Sequence, residues 1–337
     1  MYSRVRYAVS DVVALILIFA IMTTATSSIM LWGVPYMDGK KMEARAQSVL
    51  TQFDMMSDII KDDVISQGFS SSTVLSFTTD AGQVSLDSQG ERIILYYSLD
   101  SVFNFNVSDF DDEDDSYFKI SHTGEADNLD IYYLYLHDYI DPGSPDETKD
   151  SVPSGSTITA STPNKFKDAV KIEVKNAADT VIGRIWLFDT GSITYTTSSS
   201  SGTYNVIIEN GGVVCDRYND GYLSDKPNIY DRTGLLVMRI IQFKPGSLIG
   251  GSGKANYQFT VESNHSFIRE NKVSIPKYFK MQIHGRSIAT KAWSDYFLWE
   301  HNFGKYTEGF AEDTLYLDGN RDFTLTHTVC DVIMGVE

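Results

Sequence analysis

The densest group of side chains able to bind a cation is an acidic cluster in the first half of the chain. Its six carboxylates are Asp109, Asp111, Asp112, Glu113, Asp114 and Asp115. Calcium prefers carboxylate oxygens, and the spacing is similar to the start of an EF-hand loop. The EF-hand is excluded because Asp114 stands where Gly is needed and Ile120 where Glu is needed. Two interpretations remain: a solvated acidic loop, which the run of like charges favours, and a looser calcium site of Asp109, Asp111, Glu113 and Asp115.

The second candidate for chemistry is the pair of cysteines, Cys215 and Cys330, which are the only two in the chain. In an oxidising compartment a disulfide between them would close a loop of more than a hundred residues. An unstrained bond over that range stabilises a fold by ~4–5 kcal/mol. The alternative is two buried free thiols, because a disulfide requires specific backbone geometry. The sequence leaves both open.

No pattern typical of catalysis or of a cofactor site is present in the sequence. The six histidines are scattered, and no two have the spacing of metal ligands. The stretch 250–254 is similar to a phosphate-binding loop, but Leu248 and Ala255 replace the Gly and the Ser or Thr that such a loop needs. We therefore expect no enzymatic activity and no cofactor other than calcium. A cell-surface hydrolase remains a distant alternative.

The sequence also offers two acceptor triplets for N-glycosylation, at Asn106 and Asn264. Such triplets are common by chance, so their meaning depends on whether these residues lie outside the cell.

The net charge limits the range of partners. The chain has 337 residues and a formal net charge of -17, from 45 acidic and 28 basic side chains. Binding to nucleic acid needs a basic face, so no nucleic-acid partner is expected. Almost the whole acidic excess lies after residue 68, which predicts an acidic domain preceded by a nearly neutral N-terminal segment.

That N-terminal segment contains an apolar run. Between Val12 and Met37 there is no charged residue, and ~20 apolar residues suffice for a helix to cross a bilayer. Arg4 and Arg6 precede the run, so we expect the N-terminus on the cytoplasmic side and the rest of the chain outside. A cleaved secretory signal has an apolar core of only ~7–15 residues, which favours a retained helix. Pro35 is expected to kink or end it.

The residues after Met37 show a heptad pattern. Apolar side chains recur at alternating steps of four and three residues, at Met42, Ala46, Val49, Phe53, Met56 and Ile60. This spacing places them on one helix face, which we call the seam. Two interpretations are open: a core helix that packs on its own domain, or a stalk that packs against copies of itself. The helix is expected to end near Gly68.

The start of the chain resembles a known family. The stretch from Arg6 to Phe19, with Ala8-Val9-Ser10 before the apolar run, is similar to the start of archaeal type IV pilin-like and archaellin-like subunits. This resemblance implies a leader cut around Arg6, Tyr7 and Ala8 by a prepilin-type peptidase. It also implies the pilus assembly machinery as a partner and a β-rich domain outside the cell. Asp11 stands near the place of the Glu that the family often has.

The remainder of the chain has the texture of a β domain. Short β-branched runs alternate with turn signals, which is typical of an antiparallel sandwich or barrel. Strands are predicted at 73–77, 92–97, 130–136, 170–174, 181–188, 204–209, 235–243, 257–261 and 323–328. One helix is predicted at 287–300, with Ile288, Ala292, Phe297 and Trp299 as its buried stripe. Residues 141–164, rich in Pro, Gly and Ser, are predicted to form a flexible loop.

Together these patterns predict an α+β protein, with a long N-terminal transmembrane and stalk helix followed by a mainly antiparallel β-sandwich. The expected parts are a basic leader or cytoplasmic terminus (1–7), a transmembrane helix (8–37), a stalk (38–68) and an extracellular domain (69–337). The favoured function is a subunit of an archaeal type IV pilus-like filament, which contacts membrane lipid and copies of itself. The alternative is a single-pass surface adhesion protein that never polymerises.

Overall fold

The computed structural model describes residues 3–66, 71–87, 90–100, 104–112, 115–123, 129–135, 148–149, 157–161, 169–176, 178–200, 202–217, 220–232, 234–246, 251–276, 278–284, 287–305, 314–318 and 320–336. The side chains of residues up to 11 and of 101–168 lie outside this description. The helices are α1 (Ser3–Ser28), a π-helical turn (Ile29–Gly33), α2 (Val34–Ser66) and α3 (Ser287–Glu300).

The described strands follow one another after α2, interrupted only by α3 between β19 and β20. They are β1 (Ser71–Thr79), β2 (Gln83–Asp87), β3 (Arg92–Ser98), β4 (Asn104–Asp112), β5 (Asp115–Thr123), β6 (Leu129–Tyr135), β7 (Thr148–Lys149), β8 (Thr157–Ser161), β9 (Ala169–Lys175), β10 (Val181–Asp189), β11 (Ser192–Ser199), β12 (Gly202–Glu209), β13 (Gly212–Arg217), β14 (Asp220–Asp225), β15 (Ile229–Arg232), β16 (Leu235–Pro245), β17 (Gly251–Ser252), β18 (Ala255–Ile275), β19 (Tyr278–His284), β20 (Gly304–Lys305), β21 (Leu315–Asp318) and β22 (Arg321–Val336).

These strands form four sheets. The central sheet has the order β1-β18-β22-β16-β15, and the helix-binding sheet has the order β14-β13-β12-β11-β2-β17. The outer sheet is β20-β21-β19-β3-β10-β9-β8, and a small sheet is β4-β5-β6-β7. Strand pairing is antiparallel throughout the described pairs except between β16 and β22, which run parallel from Leu235 opposite Asp322 to Pro245 opposite Val332.

Two hydrophobic cores hold the sheets together, and the central sheet contributes to both. The first core joins α2 to the helix-binding sheet and to one face of the central sheet. The second joins the other face of the central sheet to the outer sheet and α3. Strand β16 illustrates this division, since Met238 and Ile240 lie in the second core while Ile241 and Phe243 lie in the first. Opposite faces of one strand therefore serve different cores, as the alternation of side chains requires.

The α+β class and the mostly antiparallel β region are confirmed, and each of the nine predicted strands overlaps a strand of the structure. The narrower prediction of a β-sandwich is not established by this topology of four sheets. The loop predicted at 141–164 contains β7 and β8, and its other residues lie outside the described part, as does Gly68. The helix at 287–300 is confirmed, but its predicted stripe is wrong at Trp299, which is 81% exposed.

Candidate functional site

The most unusual surface of the described chain is the apolar run of the N-terminal helix. The 18-residue window that is apolar enough to cross a membrane has none of its residues buried. Its large side chains face outward, with Phe19 71% and Trp32 81% exposed. A large exposed apolar surface marks a site that contacts lipid or another protein. The run is therefore a candidate site for insertion into a membrane, for assembly, or for both.

Four hydroxyl side chains within this run are satisfied by the helix itself. The hydroxyls of Thr23, Thr24 and Thr26 each donate to the carbonyl four residues earlier at 2.8 Å, and that of Ser28 does so at 2.9 Å. Such bonds give each of these four hydroxyl protons an acceptor in apolar surroundings. The four residues are thus compatible with an apolar environment.

The helix does not end at Pro35. Instead, the turn before it widens into a π-helical turn, in which the Val34 N–H donates to the carbonyl of Ile29, five residues earlier. Proline has no N–H to donate, so an α-helical bond is missing at this point. A π turn is one way in which a helix adapts to such an interruption. The exposed run therefore continues without a break into α2.

All six seam residues are buried in the first core. Met42, Ala46, Val49, Phe53, Met56 and Ile60 are each at most 3% exposed. The Phe53 ring packs edge-on against Phe77 of β1 at 5.3 Å, and Phe77 stacks on Tyr257 and Phe259 of β18. The interpretation as a core helix is therefore the correct one. The stalk interpretation is wrong, because the seam is occupied by the chain's own sheets and has no room for a second copy.

Polar contacts fix α2 along β13 and β1. Arg217 at the end of β13 forms an ion pair with Glu43 at 2.8 Å, and Ser57 donates to the carbonyl of Gly211 at 3.3 Å. Gln52 binds both backbone groups of Thr78, accepting from its N–H at 3.0 Å and donating to its carbonyl at 3.3 Å. The start of β13 thus contacts a later turn of α2 and its end contacts an earlier turn, so β13 runs antiparallel to the helix.

The turn that receives Ser57 is built for a tight hairpin. Asn210 and Gly211, between β12 and β13, have φ values of 47° and 68°. Two successive positive φ angles define the turn that two-residue hairpins favour, and Asn-Gly is its preferred sequence. The Asn210 side chain also accepts the N–H of Ile241 at 3.0 Å. This turn therefore joins the helix, the helix-binding sheet and the central sheet.

A buried lysine, Lys61, binds acidic side chains near the C-terminal end of α2. The Lys61 side chain is only 8% exposed, and its Nζ lies 2.5 Å from Asp225, 3.0 Å from Asp58 and 3.1 Å from the carbonyl of Lys226. A buried ammonium group is tolerated only with such partners. Nearby, burial raises the pKa of Asp54, and the negative charges of Asp225 and Asp58 raise it further, although Ser224 donates to it at 2.9 Å.

The acidic residues predicted as a calcium site lie in the β4–β5 hairpin. Asp109 and Asp111 lie in β4 and Asp115 lies in β5, with Asp112 opposite Asp115 at the end of that hairpin. Glu113 lies outside the described residues, and the side chains of the others are not described, so the calcium site stays a prediction. Among the described residues, no group of three or more His, Cys, Asp or Glu is placed to hold a metal ion.

Both cysteines are buried free thiols in the first core, so the disulfide alternative is not the one found. The Cys215 thiol donates to the Tyr204 hydroxyl at 3.0 Å. Burial raises the pKa of Cys215, and it raises that of Cys330 to about 12. Since the thiolate is the reactive form of cysteine, both side chains behave as small core residues.

The remaining predicted positions lie in regular elements. Arg6, Tyr7 and Ala8 fall within α1, and the glycosylation candidates Asn106 and Asn264 fall within β4 and β18. The side chains of all five lie outside the described part of the structure. Leader cleavage and glycosylation therefore stay predictions.

A charged network between the outer and central sheets was not predicted, because no local pattern in the sequence signals it. Arg184 binds Glu270 at 2.8 Å, and the Trp186 indole N–H donates to the same carboxylate at 3.0 Å. On the neighbouring strand β22, His327 lies 2.9 Å from Gln242, and burial lowers its pKa to about 3. Irregular pairing of β18 around Glu270 accompanies this arrangement, as bulges redirect side chains. Because Arg184 and Glu270 lie on different sheets, their ion pair links the outer sheet to the central sheet. We call the network of Arg184, Trp186, Glu270, His327 and Gln242 the polar clasp.

Comparison with known proteins adds no relative to this picture: no protein-family model, no curated protein and no solved structure matches the chain.

Proposed function

We propose that the protein is a structural subunit of a type IV pilus-like surface filament, of the archaeal type that its first residues resemble. The apolar run would form the filament core, and the acidic β domain would face outward. The observation that carries the proposal is that one continuous helix buries the apolar seam of its second half in its own domain, whereas none of the described residues covers the apolar window of its first half. A free apolar half of this length needs either lipid or other copies.

Two further observations support this proposal. The hydroxyls of Thr23, Thr24, Thr26 and Ser28 are bonded within the helix, so these residues suit a dry helical bundle as well as a bilayer. The net charge of -17 resides almost wholly in the domain, and a strongly charged exterior keeps assembled copies soluble. Before assembly the same run would anchor the subunit in the membrane, with the domain outside.

The proposal is tested by Leu17→Lys, which places a charge in the middle of the apolar run. A lysine at that depth costs ~2.5–3.5 kcal/mol in a bilayer, and a dry helical bundle is equally unsuited to it. We expect the protein to disappear from filaments sheared off intact cells, while the isolated variant keeps its β circular dichroism and its thermal unfolding midpoint.

The matched control is Trp299→Lys, which charges an even more exposed apolar residue on α3 and should leave the filaments unchanged. If sheared material from wild-type cells contains none of the protein, and detergent-extracted protein is strictly monomeric, the filament proposal is wrong. A monomeric surface anchor would then be the better description.

A further inference from the structure

The charges of α2 are unevenly distributed along its length. Residues 38–45, the first two turns after the apolar run, contain three basic and two acidic side chains, whereas residues 54–63 contain one basic and four acidic ones. The helix therefore begins with a local excess of positive charge, although the net charge of the chain is -17. The three basic side chains and Arg217, which pairs with Glu43 in the same turns, form a group that we call the basic collar: Lys40, Lys41, Arg45 and Arg217.

The ion pairs of the basic collar leave two of its cations over. Glu43 is shared by Lys40 and Arg217, each at 2.8 Å. Among the described residues, no acidic side chain lies within ion-pair distance of Lys41 or Arg45. These two residues are four positions apart and thus lie one turn apart on the same helix face, where like charges repel each other. An anion bound beside both side chains would remove this repulsion.

The apolar run determines where the basic collar lies relative to a bilayer. The run from Val12 to Met37 has 26 residues and is about 39 Å long as a helix, close to the ~40–45 Å thickness of a bilayer with its headgroups. Its last two turns carry Trp32 and Tyr36, 81% and 65% exposed, and such residues are enriched at the membrane interface. The collar therefore begins where the lipid headgroups end.

The two unpaired cations are close enough to the headgroups to bind them. Lys41 lies four residues after Met37, or about 6 Å along the axis, and Arg45 lies eight residues after it, or about 12 Å. Long basic side chains extend toward a nearby membrane surface. Both charged groups thus come within about one Debye length, ~8–10 Å, of the lipid phosphates.

The other end of α2 has the opposite character. Asp58 is 69% exposed, and its cation Lys61 is buried and shared with Asp225. Asp62, one residue further on, is exposed as well. An anionic surface would therefore attract the collar end of the domain and repel the far end. The charge distribution along the helix agrees with the direction in which the apolar run enters a membrane.

We propose that the basic collar binds the phosphate groups of anionic lipids on the domain side of the membrane, with Lys41 and Arg45 as the two residues that hold them. Ammonium and guanidinium groups both donate charge-assisted hydrogen bonds to phosphate oxygens. The bound lipid supplies the anion that this pair of cations lacks within the described chain. The inference rests on insertion of the apolar run into a bilayer, and it applies to a filament subunit before assembly and to a monomeric anchor alike.

The test measures energy transfer from the full chain to labelled lipids. A donor dye is attached to Ser48→Cys, an exposed position on the same helix face as Lys41 and Arg45. The natural thiols do not react, because Cys215 and Cys330 are fully buried. The protein is inserted into phosphatidylcholine vesicles that contain a trace of either phosphatidylglycerol or phosphatidylcholine with the acceptor dye on an acyl chain.

We expect phosphatidylglycerol to be enriched around the donor by about two- to fivefold over phosphatidylcholine. The enrichment should disappear in about 0.5 M sodium chloride, because salt screens the attraction.

Charge removal identifies the residues responsible. Lys41→Gln and Arg45→Gln should each lower the enrichment, and the chain with both changes should lose it while unfolding at the wild-type temperature. The matched control is Lys226→Gln, which removes one half-exposed positive charge near the far end of α2 and should leave the enrichment unchanged.

Three results would overturn the lipid proposal and leave the filament function standing. They are equal transfer to the two labelled lipids, full enrichment around the chain with both changes, and loss of enrichment when about 10 mM inorganic phosphate is added at constant ionic strength. The last result would assign the collar to free phosphate. A protein that fails to float with the vesicles overturns the insertion on which both proposals rest.

Discussion

The two halves of the N-terminal helix have similar lengths and opposite surroundings. Residues 12–37 expose their apolar side chains on every side, whereas α2 buries its seam in the first core and exposes a polar face. Apolar content alone does not determine this difference. The second half is amphipathic, so its own sheets can cover its apolar face and leave the rest to water. The first half has no polar face, so no single side of a soluble domain can satisfy it.

The largest effect expected from this comparison concerns two phenylalanines of the same helix. Phe53→Ala should lower the free energy of unfolding by about 3–5 kcal/mol, because it removes a fully buried ring from the first core. Phe19→Ala should change it by less than about 0.5 kcal/mol, because that ring is 71% exposed. Denaturant unfolding in mild detergent measures both. Equal losses from the two variants would contradict the difference between the halves.

Acid should separate the β domain from the apolar run in a second way. His327 is buried as a neutral imidazole with a pKa of about 3 in the folded state, against about 6.5 when unfolded. Its contribution to stability is fully present above pH 6.5 and is lost as the pH falls toward 3, at up to ~1.4 kcal/mol per pH unit. The apolar run has no group that titrates in this range, so helix insertion should persist.

The check is a series of unfolding midpoints between pH 7 and pH 4 for the wild type and His327→Gln. Glutamine is neutral at every pH, so the difference between the two proteins should narrow as the pH falls. Parallel pH profiles would show that His327 does not contribute to the acid sensitivity.

A smaller effect is expected at the buried end of the helix. Lys61→Met leaves Asp225 and Asp58 without their cation, and Asp58 is largely exposed and can be hydrated. The expected loss is about 1–3 kcal/mol, below that of a fully buried ion pair. The control is Lys41→Met, an exposed residue near the start of α2, which should be neutral. Urea unfolding measures the free energy of unfolding of both variants. An unchanged value for Lys61→Met would show that packing alone holds this end of the helix.

The smallest effect is expected in the apolar half. Thr24→Val removes a hydroxyl that donates only to the carbonyl of its own helix, four residues earlier. Both domain stability and recovery of the protein in sheared filaments should remain within about 0.5 kcal/mol and twofold of the wild type. A large loss of filaments with an unchanged domain would show that the hydroxyl bonds a neighbouring copy instead.

The sequence was most informative where a pattern is local. All six seam positions predicted from the spacing are buried, because a helix brings every third or fourth residue to the same side. It left open what covers them, because the partners Phe77 and Phe259 lie on strands far away in the chain. The nine strand predictions succeeded for the same local reason, since β-branched runs are strong signals.

The long-range features were not predictable from one sequence. The parallel pairing of β16 with β22 joins segments about ninety positions apart, and nothing local specifies it. The exposure of Trp299 shows the same limit, since helical spacing allowed it to be buried while Trp293 and Tyr296 face the second core instead. The polar clasp depends on side chains of four strands whose register only the fold determines.

The central claim is that residues 12–37 are needed for assembly and not for folding. Its most direct test compares the full chain with a chain of residues 38–337 by analytical ultracentrifugation and thermal unfolding. We expect the shorter chain to be monomeric without detergent and to unfold at the same temperature, and the full chain to form oligomers once detergent is diluted. A shorter chain that fails to fold, or that still forms the same oligomers, would contradict the claim.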